Sequence, residues 1–441
     1  MQHDRCGYFG VRLFFVFMCM VPALGEARTM ILDNPQRVAF SGFASSLAVL
    51  GDIDGDQVSD YLVGAYDNRW EKNDRQGRAF VFSGKSGKLL FSIDDPVPQP
   101  LAAFGFSVAS AGDINKDGTT DFLVGAFGQD EGRGKAFVFS GKDGKLLYSL
   151  QAPQRQAGAG FGWALTALDD LNGDGTADFA VGAFAQEGAG RVFVFSGHEG
   201  KLLRTITPPA GSLTFGWAVT SMRDLNKDGI RELLVGAPYT NVGKNAVQGQ
   251  AYVFNGKDGK LLYTLDNPQP IAGSVFGWRM ADAGDLNKDG IPDILVGAPY
   301  QDVDQVIAQG AAFAFSGANG QLLFPLKNPV PRPYAAFGYS LSESEDMNQD
   351  GAPEILVGAP YQTVDEFHVQ GEVFLFNGQD GRHLTTFDNP YPHQGSCFGY
   401  TVVSPGDVND DKIPDFAIGA AGQGIMDKPA VGRLFVFLSQ P

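Results

Sequence analysis

Apolar and polar positions alternate along this chain in short runs separated by glycine-rich turns, and the stretch from Phe276 shows the unit clearly. Phe276-Gly277-Trp278 opens a predicted first strand that runs to an acidic loop at Asp285. Ile294-Leu295-Val296 forms a second strand that ends in Gly297-Ala298-Pro299. A third follows as Ala312-Phe313-Ala314-Phe315. The turn Ser316-Gly317-Ala318-Asn319-Gly320 then reverses the chain into a fourth, Leu322-Leu323-Phe324. Aromatic and β-branched residues suit a pleated, half-buried surface, so these runs read as strands. No window carries a helical stripe.

The unit recurs. Its first acidic residue falls at Asp52, Asp113, Asp170, Asp224, Asp285, Asp346 and Asp407, with spacings of 61, 57, 54, 61, 61 and 61 residues. A period near 60 holds four strands and their turns, which is one propeller blade. The expected fold is therefore all-β, a seven-bladed β-propeller over residues 28–441. The last unit stops after its third strand, Leu434-Phe435-Val436-Phe437. Ile31-Leu32-Asp33-Asn34-Pro35 matches the fourth-strand exit Thr264-Leu265-Asp266-Asn267-Pro268. The N-terminal segment should thus supply the outer strand of the last blade and cover an edge that would otherwise invite aggregation.

Each acidic loop has the form D-x-[DN]-x-D-(G)-x-x-[DE]. Oxygens at positions 1, 3, 5 and 9, with a backbone carbonyl at 7, can surround a hard cation of calcium's size. The seven predicted sets are Asp52, Asp54, Asp56, Val58, Asp60; Asp113, Asn115, Asp117, Thr119, Asp121; Asp170, Asn172, Asp174, Thr176, Asp178; Asp224, Asn226, Asp228, Ile230, Glu232; Asp285, Asn287, Asp289, Ile291, Asp293; Asp346, Asn348, Asp350, Ala352, Glu354; and Asp407, Asn409, Asp411, Ile413, Asp415. Up to seven Ca²⁺ are expected. Gly at position 6 eases the turn, and Lys412 at that position marks the seventh loop as the one expected to turn under strain. An EF-hand needs a bidentate acid at position 12. Here that position holds Val63, Val124, Val181, Val235, Val296, Val357 and Ile418, which belong to strands. Ion-free Asx turns are the alternative, but carboxylates packed together without a cation repel one another.

Composition agrees. The net charge is −17, and seven Ca²⁺ would cancel 14 of those charges. An acidic chain is a poor match for nucleic acid. Residues 1–27 read as a signal peptide: Arg5 and Arg12 precede the apolar run 13–24, with small residues at Ala23, Gly25 and Ala27. The expected location is secreted, periplasmic or cell-surface. Only Cys397 lies beyond that segment, so calcium would replace disulfides as the staple. His198, His368, His383 and His393 show no zinc spacing. No nucleophile elbow or phosphate loop is present, so no enzyme is expected.

Phe-Gly, an acidic loop and Gly-Ala-Pro together resemble the FG-GAP repeat of the integrin α-subunit propeller. Phe-Gly stands at 104–105, 161–162, 215–216, 276–277, 337–338 and 398–399, and the first copy departs as Phe40-Ser41-Gly42-Phe43. Gly-Ala-Pro is intact at 236–238, 297–299 and 358–360. The resemblance implies calcium loops between the first and second strands on one face and ligands on the other. No leg domains, membrane helix or cytoplasmic tail are read here, and all seven blades bear a loop. A β-subunit partner is therefore not implied. The expected function is an integrin-α-like adhesion or protein-binding module. A lectin-like propeller is the alternative, with a propeller hydrolase or lyase behind it. An extracellular protein or glycan would bind opposite the calcium loops. Trp70 is the candidate contact, while Tyr239, Tyr300 and Tyr361 either meet the ligand or pack against neighbouring blades.

Overall fold

The computed structural model describes residues 28–68 and 74–439. The signal-peptide expectation for residues 1–27, and Trp70, lie outside the described residues. Within them the chain forms seven four-stranded antiparallel sheets arranged as a propeller. The fifth blade comprises Met280–Asp282, Ile294–Ala298, Ala311–Phe315 and Leu322–Leu326, paired in that order. Among the described residues helical structure is confined to single turns at Gln129–Gly132 and Gln186–Gly188. The second strand of each blade is buried along its whole length. This explains why those segments read as unbroken apolar runs.

The core lies between blades. Each of seven apolar clusters joins one blade to the next, as where Met222, Leu234 and Val253 of the fourth meet Phe276, Val296 and Phe313 of the fifth. The Phe of each Phe-Gly pair is fully buried, and Phe104 packs on Phe137 and Phe139 with ring centroids 5.7 and 6.0 Å apart.

Ring closure follows the expectation. Arg28–Asp33 pairs antiparallel with Arg433–Leu438, with Leu32 opposite Leu434. Arg433 holds Asp33 at 2.6 Å, and its guanidinium lies 4.9 Å from the centre of the Tyr391 ring. Asn34 donates to Ser41 at 2.8 Å, and Ser41 donates to the Val431 carbonyl at 2.7 Å. Leu32 is 1% exposed within the cluster that joins the first and last blades. Leu32→Ala should cost about 2–5 kcal/mol, read as a lower midpoint in denaturant. An unchanged midpoint would show that closure contributes little.

Two expectations need correction. The Phe-Gly element of the first copy is Phe43-Ala44, because Phe43 pairs with Ala65 just as Phe104 pairs with Ala126. Ala44 takes the left-handed conformation, φ 62°, that glycine holds in the other copies. In the fifth blade, Phe276-Gly277-Trp278 precedes the strand instead of opening it, and pairing begins at Met280. The Gly277 N–H still donates to the Gly297 carbonyl at 3.0 Å.

Candidate metal centres and the opposite face

All seven acidic loops fold alike. Position 1 accepts the N–H of position 6 at 2.6–2.8 Å. The side-chain oxygen of position 3 accepts the N–H of position 5 at 2.8–3.2 Å. Position 5 in turn accepts the N–H of position 7 at 2.9–3.0 Å. Consecutive Asx turns therefore wind the acidic side chains around one point. In the first loop, carboxylate oxygens of Asp52, Asp54 and Asp60 lie within 4.8 Å of one another.

The strain expected of Lys412 is not peculiar to the seventh loop. Gln57 occupies the same position in the first, with φ 70° beside 71° for Lys412. Both keep the bond to the leading Asp, at a conformational cost of about 1–2 kcal/mol each.

Position 9 is fully buried in every loop. One of its oxygens accepts the N–H of position 2 at 2.7–2.9 Å. When the residue is Asp, the other oxygen crosses to a backbone N–H in the segment after the third strand: Gly84, Gly141, Gly197, Gly317 or Ser439, at 2.7–3.1 Å. These bonds tie the acidic loops to the turns that follow the third strands, so both lie on one face of the ring.

The two Glu loops differ in a paired way. Glu232 and Glu354 occur in the blades whose turn carries Asn255 and Asn377, where five others have Ser83, Ser140, Ser196, Ser316 and Ser439. Asn255 donates to Asp228 at 3.0 Å, and Asn377 donates to Asp350. The extra methylene carries the second carboxylate oxygen away from the turn. Glu232 Oε1 accepts from Asn226 at 2.6 Å, while Glu354 Oε1 is buried with no hydrogen-bond partner.

Electrostatics gives the same picture. Burial, with a neighbouring carboxylate adding to it, pushes Asp60, Asp293 and Asp415 up to about 6. It pushes Glu232 and Glu354 up to about 7. The folded loops are short of positive charge. An all-oxygen donor set with an orphaned buried carboxylate oxygen is what a hard cation would satisfy.

The opposite face has another chemistry. The first strands of the blades line a central channel with a cavity of about 450 Å³. The residue after each Phe-Gly contributes a ring to its mouth: Phe106, Trp163, Trp217, Trp278, Tyr339 and Tyr400. Neighbouring ring centres are 4.3–5.5 Å apart. Tyr239, Tyr300 and Tyr361 stack edge-on against these rings at 5.3–5.8 Å. The contact is with the aromatic of their own blade, so they form part of the wall and not free loop tips. In the first blade Ser45 takes the aromatic's place, and its buried hydroxyl has no partner.

The ring of blades and the repeated loops define the chain as a seven-bladed FG-GAP propeller. The FG-GAP repeat model matches residues 104–139, 161–195 and 277–318, and the FG-GAP-like repeat model matches 224–296. Within that class the chain is integrin-α-like. It is 31% identical to integrin alpha-3 of Cricetulus griseus over 244 residues, 53% of this chain and 23% of the relative. It is 28% identical to integrin alpha-7 of Rattus norvegicus over 374 residues, 76% of this chain and 32% of the relative. Integrin alpha-6 of Homo sapiens matches at 34% over 209 residues. The chain spans less than a third of the length of these relatives. Among the described residues no helix is long and apolar enough to cross a membrane.

Proposed function

We propose that this chain is an extracellular, calcium-loaded propeller that binds a protein partner as an integrin-α-like adhesion module. Its location follows from the signal peptide read at residues 1–27. The observation that carries the reading is the division between faces. Seven near-identical acidic loops occupy one side, where side chains are committed to holding the loop. The connections on the other side vary between blades in length and conformation: single helical turns at Gln129–Gly132 and Gln186–Gly188, small antiparallel bridges such as Val303 with Val306. Variable loops on a rigid ring are suited to recognition.

Calcium would be held by the carboxylates and amide oxygens at positions 1, 3, 5 and 9 and the carbonyl at 7. It supplies charge neutralisation there, and no reaction is routed through it. Catalysis has no group assigned to it in this reading, since the acids belong to the loops. Two measurements test the proposal. Calorimetric titration of chelator-stripped protein with Ca²⁺ should approach seven equivalents, and Mg²⁺ should compete weakly. Cells should attach to the immobilised protein, and lose attachment after surface proteolysis but not after glycosidase treatment. The reverse pattern would replace the protein partner with a glycan.

A further inference from the structure

Arg279 follows Trp278 and lines the central channel just inside the aromatic ring. Its side chain is exposed within the channel, beside Tyr339 and Tyr400. Among the described residues its guanidinium makes no ion pair and no hydrogen bond, and no other Arg or Lys lines that cavity. The channel does contain two acids, Asp282 and Glu343, but another residue engages them. Arg223 holds Asp282 at 2.9 Å and grips Glu343 with two nitrogens, one of them at 2.9 Å. Asp282 lies three residues beyond Arg279, about 10 Å along an extended chain. The two ends of the channel are thus electrostatically separate. The acids are paired toward the acidic-loop face, and the cation is unpaired at the other mouth.

A guanidinium left unpaired in the channel keeps its hydrogen-bonding fork free for an incoming anion. We propose that the channel mouth is a socket for a carboxylate, with Arg279 as its anchor and the aromatic ring as the wall for the atoms that carry it. The guanidinium fork matches a carboxylate with two parallel hydrogen bonds. One cation suits a monoanion; a phosphate dianion would want a second, and none lines the cavity among the described residues. Phe106, Trp163 and Trp217 offer apolar faces to a short stem. Ser45 leaves a gap in the ring. The occupant that meets these terms is an acidic side chain or terminal carboxylate of a protein. That choice rests on the protein-binding reading above.

Three of the four tryptophans, Trp163, Trp217 and Trp278, line the cavity and report on it directly. Titration with phenylacetate should change tryptophan emission saturably. The neutral isostere phenylacetamide should bind at least about ten-fold more weakly, the loss expected when a charged hydrogen-bond pair is removed. Arg279→Met should show the same loss, and Arg279→Lys an intermediate one. Because the charge is unpaired, Arg279→Met should melt at the same temperature as the parent or higher. An equal response to the amide, an undiminished response in Arg279→Met, or a fall of several degrees in the melting temperature of that variant would each overturn the socket. The two readings fail separately. Cells that attach equally well to Arg279→Met would reject the socket and keep the protein partner. Phenylacetate bound through Arg279 without any cell attachment would keep the socket and reject the partner.

Discussion

Excess chelator is expected to lower the melting temperature of this propeller by about 4–12 °C, and added Ca²⁺ should restore it. The magnitude follows from mass action. With dissociation constants of about 0.1–1 mM, as in extracellular modules, ~1 mM calcium stabilises one site by roughly 0.4–1.4 kcal/mol. Seven such sites contribute about 3–10 kcal/mol, comparable to the whole stability of an ordinary domain. The unfolding entropy near 2.1 cal/mol/K per residue, over about 400 ordered residues, converts this to the stated shift. The effect should be cooperative across the ring. The five Asp loops are bonded through their position-9 acid to the segment after the third strand of their own blade, and each blade shares its core with the next. Loss of the cation leaves buried carboxylates, whose affinity for protons is already raised, to repel without relief. Differential scanning calorimetry with and without EGTA decides the matter. An unchanged melting temperature would leave the loops as ion-free Asx turns.

The blade count, the strand order, the closure by Arg28–Asp33 and the acidic loops were all legible in the sequence. Each depends on a pattern that repeats, and seven copies at similar spacing outweigh any local ambiguity. Single exceptions were harder to read. Phe43-Ala44 was hidden behind the more glycine-like Phe40-Ser41-Gly42, because only its pairing with Ala65 shows which Phe enters the core. Lys412 drew notice at position 6 while Gln57, with the same conformation, did not. The coupling of Glu232 with Asn255 and of Glu354 with Asn377 was present in the sequence. It acquires meaning only once the turn and the loop are known to touch. Tyr239, Tyr300 and Tyr361 could not be placed, since the rings they meet come from a distant part of each repeat. Arg279 was least legible of all. Nothing about its neighbours in sequence reveals that seven first strands converge around it while their two acids pair with Arg223.

Substitution of a seam glycine should be the most damaging small change in the molecule, and the repeats themselves say which glycine. The glycine of each Gly-Ala element faces the next blade. A Cβ on Gly297 would lie 2.0 Å from the Gly338 carbonyl oxygen, and Gly64, Gly125, Gly182, Gly236, Gly358 and Gly419 show the same approach at 2.0–2.3 Å. At Gly297 the obstacle is backbone alone, so no side chain can swing away. All seven copies keep glycine at this position. The partner position across the seam is glycine in six blades and Ala44 in the first, and a Cβ on Gly105, Gly162 or Gly338 would itself lie 2.3 Å from a backbone carbonyl oxygen. Gly297→Ala is therefore expected to cost about 3–5 kcal/mol, beyond the usual range for overpacking, because two blades must separate to admit it. Gly338→Ala would meet the Ala311 carbonyl oxygen at 2.3 Å and also keep a positive φ, so it should cost a comparable amount, about 3–5 kcal/mol. Gly290, on the acidic-loop face with φ 80° and open space around its Cβ position, supplies the control for conformational cost alone, about 1–2 kcal/mol. Denaturant midpoints of Gly297→Ala and Gly338→Ala should both fall well below that of Gly290→Ala. If Gly297→Ala matches Gly290→Ala, backbone conformation alone would explain the glycine, and the close approach of blades would not be what the Gly-Ala element secures.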